Sequence, residues 1–94
     1  MHMPLTEKVT FTAALQTTNT VQIPKLIRWR FKLESDQALK VGVNFLDLHK
    51  GWQFFYAKMN KNGRITIPKL VRGLFAAEGA SLAGYVAEVT LEPA

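Results

Sequence analysis

Cysteine is absent from the 94 residues, and this excludes disulfides, thiolate zinc sites and cysteine nucleophiles together. No apolar run approaches the ~20 residues a membrane span needs, and no basic region leads into an apolar stretch at the N-terminus. Imidazole is scarce: His2 is assigned no role, and His49 is the only other histidine. A lone histidine builds no zinc site without cysteine or a convergent set of carboxylates. Ser35 and Ser81 stand outside any nucleophile motif, and no glycine-rich phosphate loop occurs. Asp36 and Asp47 read as turn residues rather than an acid–base pair. The expectation is a cytoplasmic non-enzyme with no cofactor, no metal and no membrane partner. What is present is the balance of a folded domain, 48% hydrophobic and 20% charged residues. Residues 1–94 are expected to form one domain, stable without staples.

The strongest pattern is internal. Residues 21–28 read Val-Gln-Ile-Pro-Lys-Leu-Ile-Arg, and residues 65–72 read Ile-Thr-Ile-Pro-Lys-Leu-Val-Arg. At this offset of 44, nine pairs are identical without a gap: Phe11/Phe55, Ala13/Ala57, Ile23/Ile67, Pro24/Pro68, Lys25/Lys69, Leu26/Leu70, Arg28/Arg72, Phe31/Phe75 and Glu34/Glu78. Val41 pairs with Tyr85 in character. The chain reads as a duplicated unit, with repeats about 9–48 and 53–92.

Each unit follows one grammar. Trp52 to Met59 is aromatic and β-prone, so Trp52, Phe54, Phe55 and Tyr56 are expected as strand core. Asn60-Lys61-Asn62-Gly63 is a hairpin turn signal, matched by Thr18-Asn19 in the first unit. A short alternating strand follows, then proline, which suits the start of a helix. Leu70/Leu74 and Val71/Phe75 lie i, i+4 on that helix, as do Ile27 and Phe31. Ser35-Asp36 and Gly79-Ala80 are turn-like. The last strands alternate through Leu39, Val41, Val43 and Phe45, and through Tyr85, Ala87, Val89 and Leu91. One unit cannot enclose a core, but two can. The expected fold is all-β: a pseudo-twofold, six-stranded barrel from two ββαβ units, each with one short helix.

The stretch from Lys58 through Gly63-Arg64-Ile65-Thr66-Ile67-Pro68 to Arg72 resembles the signature of the AbrB-like (SpoVT-AbrB) transcription factors. In those proteins a Gly-Arg/Gln-hydrophobic-x-Ile-Pro core precedes a short helix with arginine, and two chains interleave as a swapped-hairpin barrel. The likeness spans residues 9–91, so the chain resembles two such units fused into a tandem cradle-loop barrel, the group that includes RIFT-type barrels. The resemblance implies a transcription regulator that contacts DNA, folded as a monomer because fusion replaces the dimer. Carried over, the DNA-contacting arginines are Arg64 and Arg72, with Arg28 as the first-unit partner of Arg72. Two further basic positions of the family pattern fall on Ala57 and Gly73, and the first unit has Asn19-Thr20 in place of Gly-Arg.

Charge adds to this. The net +5 conceals a segment from Lys50 to Arg72 with six basic residues and no acidic one, followed by a tail with three acidic residues and no basic one. Such a block neutralises phosphates without reading sequence. Lys61 and Lys69 join the arginines as expected phosphate contacts, on one side of a nearly symmetric molecule. For Lys25 and Lys69 an exposed first-turn position weighs slightly more than a helix-terminus phosphate site. Trp29, which matches Gly73, either covers the barrel end or serves a surface site. The alternative is a RIFT-barrel-type binding or scaffold domain with no DNA role, for a small ligand or a protein partner.

Overall fold

The computed structural model describes residues 8–35, 37–76 and 81–94. Asp36, Glu78 and the Gly79-Ala80 turn lie outside the described residues. The elements run β1 (Val9–Ala14), β2 (Thr20–Gln22), α1 (Lys25–Arg30), β3 (Ala38–Phe45), β4 (Gln53–Lys58), β5 (Arg64–Thr66), α2 (Lys69–Phe75) and β6 (Val86–Pro93). The protein is thus mostly β, with six strands and two short helices in the order ββαβ, ββαβ.

Local chemistry sets these boundaries. In the second unit, Asn60 organises the turn after β4. Its side-chain Oδ1 accepts the backbone N–H groups of Asn62 at 2.9 Å and Arg64 at 3.0 Å. Gly63 then takes φ +78°, and Asn19 takes the equivalent place in the first unit at φ +62°. Only glycine and asparagine adopt this region cheaply. Pro24 and Pro68 halt the strands and cap the helices, their carbonyls accepting the first helical N–H groups. Helix α1 ends in a Schellman motif: Lys32 turns left-handed at φ +52°, and the Leu33 N–H reaches the Arg28 carbonyl at 3.1 Å.

The strands form two antiparallel sheets, one in the order β1-β6-β3-β4 and one pairing β2 with β5. The expected closure into a single six-stranded barrel is therefore not made by the ladders. β2 and β5 have three residues each and pair with each other. Each strand–turn–strand segment keeps one bond across its base, Gln16 to Thr20 and Asn60 to Arg64, before its strands part into different sheets. The core fills the space between the sheets. Val21, Ile23, Leu39, Val41, Val43, Phe45, Ile65, Ile67, Ala87, Val89 and Leu91 are fully buried, and Phe45 meets Phe75 edge-on at 4.8 Å.

Register reveals the duplication as a pseudo-twofold axis. Ala13 pairs with Ala87 and Phe11 with Val89, as Ala57 pairs with Leu39 and Phe55 with Val41. Val21 opposite Ile65 and Gly42 opposite Thr90 each map onto themselves, so the axis passes through both pairs. The final strands, however, correspond at 48 residues rather than 44: Val41 is equivalent to Val89, not to Tyr85, which is exposed. Between equivalent positions of its helix and its last strand the second unit is four residues longer than the first.

Two further expectations change. Of the aromatic run, only Phe55 enters the core, while Trp52, Phe54 and Tyr56 face outward. Strand alternation dictates this, because Phe55 shares its phase with the inward Phe11. On α2, Val71 and Phe75 point inward, whereas Leu70 and Leu74 are exposed. Helix α1 has no fully buried residue, and Ile27 and Phe31 cover the core only partly.

Candidate nucleic-acid interface

The Ile-Pro-Lys-Leu-x-Arg repeat has a structural purpose. Because Pro24 starts the helix, the first helical N–H groups bond to its carbonyl and leave that of Ile23 without a helical partner. Arg28 fills the vacancy: its Nε donates to Ile23 O at 3.1 Å. Arg72 repeats the bond on Ile67 O at 3.0 Å. Each arginine thereby ties its helix to the preceding strand and is half-buried. The same two isoleucines join the units, Ile23 N–H donating to Gly63 O at 2.8 Å and Ile67 N–H to Asn19 O at 2.9 Å.

At the Gly63 end the two units interlock. The Arg28 side chain lies over Gly63 so closely that a methyl group there would sit 2.5 Å from Cζ. Gln22, facing Arg64 across the β2–β5 ribbon, accepts the Arg64 Nε–H at 3.1 Å through Oε1. Its Nε2 donates to Asn62 O at 2.9 Å and Gly63 O at 3.2 Å. Arg28, Arg64 and the exposed Lys61 therefore gather around one turn. Both arginines use Nε for internal bonds to neutral acceptors, and among the described residues their Nη groups have no recorded partner.

At the Asn19 end the symmetric positions are neutral. Thr20 stands where Arg64 would be, and its hydroxyl joins Thr18 Oγ1 at 2.8 Å and Gln16 Oε1 at 3.0 Å. Arg72 is the cation tied to that end, while Lys69 is exposed at the start of α2. Three of the five expected contact residues are thus brought together and two stand apart. Gln22, which orients Arg64, carried a faint signal in the sequence: its repeat partner is Thr66, so the ribbon's two ends had to differ. Among the described residues no cluster of three His, Asp or Glu side chains converges on a metal-sized site, and no helix is long and apolar enough to cross a membrane.

The architecture is similar to that of the solution structure of PHS018 from Pyrococcus horikoshii. The TM-score is 0.71 at 22% identity, across 97% of this chain and 94% of that one. At this identity the likeness is one of fold alone. No family model matches the chain, and no curated protein does.

Proposed function

We propose that this chain is an AbrB-like nucleic-acid-binding protein, a cytoplasmic monomer of the cradle-loop group, whether RIFT-type or swapped-hairpin, that grips DNA phosphates through Arg28, Lys61, Arg64, Lys69 and Arg72. The observation that carries this reading is the turn at Gly63. There two guanidinium groups are oriented by internal Nε bonds, and among the described residues their outer nitrogens have no partner. The surrounding segment from Lys50 to Arg72 has no acidic residue. Pre-oriented donors lose less entropy on engaging a phosphate, and guanidinium forks match its oxygens. The phosphate backbone is the expected target, with no base-specific contact required.

Five such contacts give a slope of about −4 to −5 for log K against log salt on duplex DNA. Fluorescence anisotropy of a labelled duplex, titrated with salt, measures it. The Arg64→Ala/Arg72→Ala double variant should flatten the slope by about 2. Absence of binding at low salt, or an unchanged slope in that variant, would overturn the reading.

A second reading, a scaffold domain for a protein partner, is favoured by the helices. Leu26 is 77% exposed and Leu70, its repeat equivalent, 87%. On that reading duplex DNA fails to bind, and substitution at these leucines abolishes the partner interaction.

A further inference from the structure

The outer face of the four-stranded sheet carries a row of exposed aromatic side chains beside an open cleft. Outward positions of β4 hold Phe54 and Tyr56, with Trp52 just before the strand, so three aromatic side chains project at every second residue. Successive members stand about 7 Å apart, and the Trp52 and Phe54 rings lie nearly parallel, 17° between planes and 6.3 Å between centroids. Phe54 extends across Gly42 on β3, where any side chain would collide with it at 2.6 Å. Beyond the ring lies an open cleft whose floor includes Thr90, with Glu88 and Glu92 at either side on β6, Thr10 across on β1 and Lys8 just before that strand.

Thr90 is the anomaly. It is 4% exposed, and its Oγ1 is buried with no hydrogen-bond partner among the described residues. A methyl group at Gly42 would come within 2.5 Å of that oxygen, so the hydroxyl faces the same hollow that Phe54 borders. Buried hydroxyls are normally satisfied. Here an unpartnered hydroxyl lies just beneath a cleft bordered by the Trp52 and Phe54 rings and lined by Glu88, Glu92 and Lys8.

We infer that this cleft takes an unpaired nucleobase of a single-stranded nucleic acid, stacked against Phe54 and Trp52 with its polar edge toward Thr90, Glu88 and Glu92. Aromatic rings stack any base. The carboxylates accept hydrogen bonds from exocyclic amino groups, and so favour cytosine over thymine or uracil, which lack one. Lysines surround the aromatic row, and Lys8 lines the cleft together with the glutamates. Lys40, on β3 between Tyr56 and Glu92, places its Nζ 5.2 Å from the Phe54 ring centroid, while Lys58 is exposed at the end of β4 and Lys50 is exposed shortly before its start. A strand laid along β4 would place its phosphates near these lysines. An aromatic row set among Lys8, Lys40, Lys50 and Lys58 suits a polyanion with bases better than an apolar protein surface. The site is separate from the arginines at Gly63 and stands whether or not duplex DNA binds there.

The test follows Trp52 fluorescence in a Trp29→Phe background, which leaves Trp52 as the one tryptophan. Oligodeoxycytidylate and oligothymidylate of about 12 nucleotides are titrated at pH 8. The expected result is quenching by both, several-fold tighter for the cytidylate. In the same background, binding followed by anisotropy of labelled oligomers should weaken at least about tenfold in Phe54→Ala. Thr90→Val and Glu88→Gln/Glu92→Gln should each narrow the preference for cytosine. Thermal melting confirms that each variant is folded. No quenching, equal affinity for the two oligomers, or unchanged binding in Phe54→Ala would overturn the proposal. So would binding of cytidine monophosphate as tight as the oligomer, which would make the cleft a small-ligand site. A duplex that displaces the oligomer from Trp52 at equal affinity would equally overturn it, because its bases are not free to stack.

Discussion

Replacing Gly63 by alanine strikes the point where the two repeats lock, and its effect follows from two separate terms. The backbone there sits at φ +78°, where an L-residue costs about 1–2 kcal/mol. The new methyl would also lie 2.5–2.6 Å from Cζ, Cδ and Nε of Arg28. Arg28 must then swing away and give up its 3.1 Å bond to the Ile23 carbonyl, a loss of about 1 kcal/mol. The sum is about 2–3 kcal/mol, which in a domain of this size lowers Tm by roughly 10–20 °C. Urea denaturation of four proteins separates the terms: wild type, Gly63→Ala, Arg28→Ala and the double variant. With Arg28 truncated, the collision disappears and the bond is already lost, so the double variant should be about 1 kcal/mol more stable than simple addition requires. A Gly63→Ala protein within about 0.5 kcal/mol of wild type would refute the reasoning, as would strict additivity.

The remaining predictions concern stability at neighbouring positions. Lys32 ends α1 in the left-handed region, so Lys32→Gly should raise stability by about 0.5–1 kcal/mol in urea melts. Asn60→Ala removes the acceptor of two turn N–H groups and should cost about 1 kcal/mol by the same measurement. Phe75→Ala empties a core position that touches Phe45 and should cost about 3–5 kcal/mol, whereas Leu70→Ala on the exposed face of the same helix should stay within about 0.5 kcal/mol. Thr90→Val keeps the branched shape and removes an unpartnered buried hydroxyl, so Tm should hold or rise.

The ββαβ grammar was legible because its signals are local. Asn60 and Gly63 mark a turn, proline marks each strand-to-helix junction, and alternation marks strands. The shift from 44 to 48 residues was hidden by the identities at Phe31/Phe75 and Glu34/Glu78, which carry the first offset past the helix. A strand repeats every two residues, so even-numbered offsets place the same faces inward and periodicity alone cannot separate them. The exposure of Phe54 and Tyr56 was readable from the inward phase shared by Phe11 and Phe55, but hydrophobicity argued the other way. The arginines stood out by repetition, yet repetition did not disclose that Nε of Arg28 and Arg72 serves a strand carbonyl. That role depends on a carbonyl left open by proline, which is visible only once the chain is folded. Nor did three-residue β2 and β5 announce that they would pair with each other and leave the four-stranded sheet as a separate ladder.

The central claim is that duplex DNA is held by guanidinium groups already set in place around Gly63. The most direct measurement is a heteronuclear NMR titration of the protein with a short duplex at low salt, following the arginine Nε–Hε resonances together with the backbone amides. Because Arg28 and Arg64 hold their Nε–H in internal bonds, those signals should be sharp before DNA is added. They should shift on titration, along with the amides of Lys61, Asn62 and Gly63, and return as salt is raised. Arginine signals that stay unmoved while those of Leu26, Leu70 or the outer sheet face shift would contradict the account.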